Sequence, residues 1–236
     1  MAGHRLQARG IARRNKMLKA ATFLFLDQGY EKTTTTQIAK AAGMSQASFF
    51  AAFESKEAIL LELTKIMFSS QFIAAATMIP TDNPLLLYAV ETGLQLHITE
   101  LSEPLRELYV SAYSLSSTSE FIRQSITQNL MSIFGSYLPD AAENDFYELE
   151  IASSGITRNF MAHPCNLYFT IEQKLRRYLG CCFRIYEVPE ADYSPVIEAA
   201  LKHDLKSSAE KIIAATMHQA ELGFEQLSNE GDEIRS

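Results

Sequence analysis

The sequence predicts an all-α protein, with a small N-terminal helix-turn-helix head of three helices followed by a larger helical body. Three observations carry that prediction. Amphipathic segments succeed one another along 236 residues without the alternating pattern of strands. Only ten glycines and seven prolines punctuate them. The stretch 33–61 reads as a helix, a glycine turn, a second short helix and a third helix with its own cap.

The first fourteen residues carry Arg5, Arg9, Arg13 and Arg14 with little apolar content, and are expected to form a mobile basic arm. Such an arm can follow phosphates or enter a minor groove. A first helix over 12–28 presents Met17, Leu18, Ala21, Leu24 and Phe25 on one stripe and stops at Gly29-Tyr30. Thr34 and Gln37 have capping-box spacing, so the next helix should begin at Thr35. Ile38, Ala41 and Ala42 give it an apolar face, and Gly43 supplies the left-handed residue that ends it. Ser45 caps the second short helix. Ile38, Ala42, Met44, Phe49 and Phe53 are expected to hold the head together.

Ser55 caps a longer helix whose stripe, Ile59, Leu60, Leu63, Ile66, Met67, Ser70, Ile73 and Ala74, runs to Ile79-Pro80. At about 1.5 Å per residue it is ~35 Å long. A rod of that length exceeds the head and must join it to the body, which places domains at 1–56 and 57–236. After a connector over 80–84, the pattern gives helices over 85–101, 105–115, 120–138, 141–162, 168–188 and 196–227, the last breaking near 202–204. Two of these have seam-like spacing. One seam is Ile171, Leu175, Tyr178, Leu179, Cys182, Ile185 and Tyr186; the other is Leu205, Ala209, Ile212, Thr216, Ala220, Phe224 and Leu227. Each fits either a subunit interface or the chain's own core.

Charge divides the molecule. Residues 1–65 hold ten Lys and Arg against five Asp and Glu, whereas the remainder holds eleven against 23, within a total of -7. A basic head on an acidic body is what contact with phosphate through the head alone requires. The start lacks the apolar core of a signal peptide, and no segment approaches the ~20 uninterrupted apolar residues of a membrane span. A cytoplasmic protein without membrane contact is expected. Cys165, Cys181 and Cys182 lack paired zinc spacing and read as core thiols, with vicinal Cys181-Cys182 as a redox pair the alternative.

Gly29-Tyr30 with Thr33-Thr34, then Ile38-Ala39-Lys40-Ala41-Ala42-Gly43-Met44-Ser45, then Phe49-Phe50 and Phe53-x-Ser55-Lys56-Glu57, resemble the N-terminal DNA-binding domain of the TetR (tetracycline-repressor-like) family of bacterial transcription regulators. The resemblance covers roughly residues 10–65. It implies a homodimer that places two short helices in the major groove of a palindromic operator, a repressor's role, and release by a small, largely apolar effector. It also implies that late helices, about 168–188 and 204–228, form the dimer interface.

Within the motif, Thr36, Gln46, Ala47, Ser48, Ala51 and Ala52 should face the groove, with Gln46 the best base reader because its amide pairs with adenine through two bonds. Thr34, Lys40 and Lys56, together with Ser45, Arg13 and Arg14 at the edges, suit phosphates. One departure stands out. Family members commonly carry an aromatic-His-aromatic run where this chain has Phe50-Ala51-Ala52, so two groups that would contact the DNA backbone are missing. That departure favours the alternative reading, a helical adaptor whose helix-turn-helix is not used for specific DNA binding.

The middle helices carry aromatics and a few polar groups, from which Phe72, His97, Tyr109, Tyr113, Arg158 and Phe160 are the candidate effector contacts. No phosphate-cradling glycine loop, nucleophile elbow or HExxH motif appears, and the five histidines lack ligand spacing. No catalytic residue, metal or cofactor is therefore expected.

Overall fold

Eleven α-helices make up the described part of the computed structural model, residues 2–78 and 82–222, with the side chains of residues 2–8 and 69–72 outside the description. They are α1 (Ala2–Gln28), α2 (Thr35–Ala41), α3 (Gln46–Phe50), α4 (Lys56–Met78), α5 (Pro84–Leu101), α6 (Glu103–Ala112), α7 (Ser116–Phe134), α8 (Glu143–Ala162), α9 (Ile171–Ile185), α10 (Glu190–Ala200) and α11 (Leu205–Leu222). A lone bridge between Asn166 and Phe169 is the one extended pairing among the described residues. The all-α prediction holds.

Two apolar cores divide the chain. The head core is built from Met17, Leu18, Ala21 and Phe25 of α1, Ile38 of α2, Phe49 of α3, Phe53, and Ile59, Leu60 and Leu63 of α4. It also takes in Leu108 of α6 and Ala220 of α11. The head is thus wedged against the body, and the first two turns of α4 belong to it, beyond the 56/57 boundary drawn from sequence. The body core surrounds α5, which packs on α4, α6, α10 and α11. Of its 18 residues, Leu85, Tyr88, Ala89, Val90, Leu94, Leu96 and Ile98 are among those buried, as a helix covered on all sides requires.

Helix ends follow local chemistry. Asn83 accepts the Leu85 and Leu86 N–H groups at 3.0 and 3.2 Å and caps α5, with Pro84 in the first turn. Thr170 and Gln173 make a reciprocal capping box at the start of α9. α7 begins at Ser116, earlier than expected, because Thr118 donates its hydroxyl to the Ala112 carbonyl at 2.6 Å and folds the chain back after α6.

Three expectations are corrected. Residues 2–14, expected as an irregular arm, continue α1 as helix: the segment has no proline, and Gly10 costs a helix only about 1 kcal/mol. Ile73, assigned to the buried stripe of α4, is 63% exposed while Ala75 is fully buried, because α4 turns a different face to α5 and α7 past the head. The two seams point inward. Leu175, Tyr178, Leu179, Cys182 and Tyr186 are buried in the chain's own core, as are Leu205 and Ala209, so these side chains serve the chain's own packing, while Ile171, Ile185, Ile212 and Thr216 keep part of their surface. Phe224 and Leu227 lie outside the described residues.

By length and composition, α4 is the one helix among the described residues apolar enough to cross a membrane. It carries Glu57, Glu62 and Lys65 and packs against α1, α5 and α7. A buried ion pair locks the lower body. Lys174, with no exposed surface, donates to Glu100 at 2.5 Å and to the His163 carbonyl, while Glu100 also accepts the Cys165 N–H at 3.0 Å.

Candidate functional site

The head holds α3 outward through a set of short-range contacts. Thr34 accepts the Gln37 N–H at 3.2 Å while Gln37 accepts the Thr34 N–H at 2.8 Å, the reciprocal box expected from the sequence. Gly43 takes φ +67°, a conformation open to glycine at little cost, and the chain reverses there. Ser45 then accepts the Ser48 N–H at 3.2 Å. Phe49 is fully buried, with its ring 6.3 Å from that of Phe53. Turning Phe49 inward turns Gln46, Ala47 and Phe50 outward.

Thr34, Thr36, Lys40, Ser45 and Ala51 are also exposed. Ser48 is half-buried, its hydroxyl 3.0 Å from that of Ser45. Phe50 was missed as a contact residue. It is 54% exposed beside Gln46 and Ala47, an apolar face in a position to meet thymine methyls or sugars. The signal was present in the sequence, since Phe50 lies about 100° round the helix from the core aromatic Phe49.

Two basic residues expected at phosphates are occupied within the head. Lys56 donates to the Tyr30 carbonyl at 2.7 Å and lies 4.0 Å from the centre of the Tyr30 ring. Arg14 donates to the Ala52 carbonyl at 2.9 Å, pairs with Glu62 at 3.0 Å and sits 4.2 Å from the Phe53 ring centre. Both tie α4 to earlier elements, a role sequence spacing could not show because their partners lie 26 to 48 positions away. Arg13 is half-buried, whereas Lys40 remains exposed.

In the body, a cavity of about 60 Å³ lies between α4, α5, α7, α8 and α9. Phe68, Tyr88, Tyr113 and Tyr178 line it, with Leu87, Ile126 and Leu130. Two carboxyl groups, Glu91 and Glu150, join them. Glu150 accepts from Ser153 at 2.6 Å and from Tyr186 at 3.3 Å, and its pKa is raised to about 7 by burial, which those hydrogen bonds only partly offset. Burial raises Glu91 to about 7 as well. Glu91, half-buried in the lining of the cavity, makes no hydrogen bond or ion pair among the described residues. The Tyr113 hydroxyl donates to Gln95 at 2.9 Å, another wall residue.

Of the six effector contacts expected from sequence, Tyr113 lines this cavity. His97 does not: its Nδ1 lies 2.8 Å from the Gly93 carbonyl, and burial lowers its pKa. Tyr109 is packed in the core, and Phe160 packs on its edge against Tyr178 with ring centres 5.7 Å apart. Arg158 is exposed and donates to Ser114 at 2.6 Å. The side chain of Phe72 lies outside the described residues. Glu91 and Glu150 escaped notice because a single acid in an amphipathic run reads as the solvent face. A larger, open groove of about 780 Å³ runs between α1 and α11 past Lys16, Phe23 and Met217, but it gathers no comparable set of inward polar groups.

Three elements connect the cavity with the head. α4 brings Phe68 to the cavity wall and Ile59 to the head core. Tyr113 caps the C-terminal end of α6, and six residues earlier Glu107 of the same helix accepts the Glu31 N–H of the head and lies over Gly29, which stands at φ +90°. α7 brings Ile126 and Leu130 to the wall, while its first turn offers the Ser117 hydroxyl to Glu57 at 2.5 Å, in the first turn of α4.

Residues 17–63 match the model of the bacterial regulatory proteins of the tetR family, a span that opens and closes on Met17 and Leu63 of the head core. The chain is 40% identical over 58 residues to the uncharacterized HTH-type transcriptional regulator YdgC of Bacillus subtilis, covering 25% of this chain and 30% of that protein. It is 40% identical over 73 residues to the HTH-type transcriptional regulator TcmR of Streptomyces glaucescens, covering 30% and 32%. The chain thus spans about a third of the length of these relatives. Fold similarity extends further. RolR, crystallised with the ligand resorcinol, superposes with TM-score 0.63 at 14% identity over 84% of this chain and 96% of RolR. Thermus thermophilus FadR, a TetR-family repressor in complex with lauroyl-CoA, gives TM-score 0.54 at 18% identity over 73% and 92%. The head thus matches the tetR family of bacterial regulatory proteins in sequence, and the whole chain shares the fold of these two solved structures.

Proposed function

We propose that the protein is a ligand-responsive transcriptional regulator that binds a palindromic operator as a homodimer and is released from it by a small, largely apolar effector. The observation that carries this reading is the exposed face of α3, with Gln46, Ala47 and Phe50 presented by a head whose own core is complete. Gln46 reads a base edge, Ala47, Ala51 and Phe50 meet apolar groups in the groove, and Thr36 and Ser48 add hydroxyl contacts. Thr34, Lys40, Ser45 and Arg13 hold phosphates and set the register. One five-residue helix reads too few base pairs for useful specificity, so two copies of the chain are needed.

The effector occupies the cavity against Tyr113, inside the helical body of a protein that functions in the cytoplasm. At about 60 Å³ the cavity is smaller than the ~150 Å³ that holds a benzene ring in a protein core. An effector must therefore part its walls, and α4, α6 and α7 carry that displacement to the head. A hundredfold release from DNA requires about 2.7 kcal/mol of preference for the parted state.

Titration of labelled duplexes with the purified protein tests the DNA-binding claim. Binding that prefers one palindrome and weakens steeply as salt rises is expected. Equal affinity for unrelated duplexes at low salt would remove it.

A further inference from the structure

The cavity holds an unusual combination. Four aromatic rings, Phe68, Tyr88, Tyr113 and Tyr178, share its lining with two carboxyl groups, Glu91 and Glu150, and neither lysine, arginine nor histidine is among its lining residues. The nearest cation to act on Glu150 is Arg123, which is itself held by Glu120 at 3.0 Å. Glu150 is satisfied by Ser153 and Tyr186, but Glu91 has no partner among the described residues. Glu91 keeps part of its surface exposed and lines the cavity, so a cation entering there can reach its carboxyl group.

From this arrangement we propose that the effector is an organic cation, an ammonium or amidinium group with an apolar body, whose charge is met by Glu91 and Glu150 and whose flanks lie against the four rings. The inference rests on the regulator reading for its biological sense, and on the cavity alone for its chemistry. Aromatic faces attract a desolvated cation, and carboxylates supply the opposite charge. An anion would meet two acids and no base. A neutral molecule would leave the pair of acids unanswered. Glu91 raises the cost of ionising Glu150, so a cation beside them offsets the charge they acquire as they ionise.

The mutual influence of these groups provides a second signature. Glu91 and Glu150 face each other's field, with Tyr88, Tyr113, Tyr178, Tyr186, Cys182 and Arg123 the other titratable groups around them. Without ligand both carboxyls hold their protons at pH 6, since burial raises each to about 7. A cation expels a proton as it binds, whereas a neutral molecule does not.

Calorimetric titration of the full-length protein with benzylamine, benzyltrimethylammonium and the neutral isostere benzyl alcohol tests the proposal, in two pH 6 buffers of different ionisation enthalpy. Both cations should bind at least tenfold more tightly than the alcohol and release protons. Glu91→Gln should narrow the preference for cation over alcohol at least tenfold. Equal binding of amine and alcohol, absence of saturable cation binding, or cation binding without proton release would overturn it. The proton measurement uses the unaltered protein and stands even where the variant folds poorly. Because duplex binding without ligand is measured separately, loss of the cation class leaves the regulator reading intact, and loss of operator binding leaves the cavity result intact.

Discussion

Gln46 and Lys40 stand on the same exposed surface of the head but answer to different physics. Gln46→Ala removes a two-bond contact to one base edge, so preference should relax at one or two operator positions by ~1–3 kcal/mol each. Lys40→Ala should weaken binding to all duplexes alike and reduce the slope of log affinity against log salt by about one. Affinities for a panel of singly substituted operators, measured at several salt concentrations, distinguish the two. Lys56 behaves differently from either. Its ammonium already serves the Tyr30 carbonyl and ring, and burial lowers its pKa. Lys56→Ala should therefore lower the melting temperature, at a cost of ~1–2 kcal/mol, and leave the salt slope unchanged. The roles of Gln46 and Lys40 follow from exposure that helical periodicity predicts, while that of Lys56 depends on a contact with a residue outside its own helix. Sequence reading fails at that point for a physical reason, because a long flexible side chain takes whatever carbonyl the tertiary fold brings near.

At the scale of elements, the caps and stops were legible because they are local. The Thr34–Gln37 box, the Gly43 turn and the break between α10 and α11 each depend on residues within a few positions. The orientation of a long helix is not local. α9 and α11 carry seams that would serve a dimer or a core equally well, and the chain uses them for its core. The same helix α9 brings Lys174 to Glu100 with no surface left exposed on the lysine. Lys174→Ala should destabilise the fold by ~2–3 kcal/mol, because Glu100 loses the closer of its two cations and keeps only Arg106 at 3.5 Å, whereas Lys174→Met paired with Glu100→Gln should cost less. Urea unfolding of the single and double variants reads the difference.

For the whole molecule, the fold class and the basic head were evident from periodicity and charge, and the cavity was not. Its two acids belong to α5 and α8, far apart in sequence, and only packing brings them to one space. They leave a mark on global stability. Each carboxyl has a folded-state pKa near 7, above its ordinary 4.5, so between those values the folded chain keeps protons that the unfolded chain has released. Stability should consequently fall as pH rises from about 4.5 to about 7, by at most ~3 kcal/mol per group. Glu100, whose pKa is lowered, acts with opposite sign below that window. Glu91→Gln should flatten the decline and match or exceed the parent protein at pH 7.5, as urea unfolding at pH 5 and 7.5 would show.

The head and body join in one purpose only if the exposed face of α3 reads DNA in pairs. Repeated selection of random duplexes by the purified protein, followed by sequencing, measures this directly. Enrichment of a palindrome with two half-sites about one or two helical turns apart is the expected result, with Gln46→Ala relaxing the same position in both halves. Recovery of unrelated sequences without symmetry would contradict it.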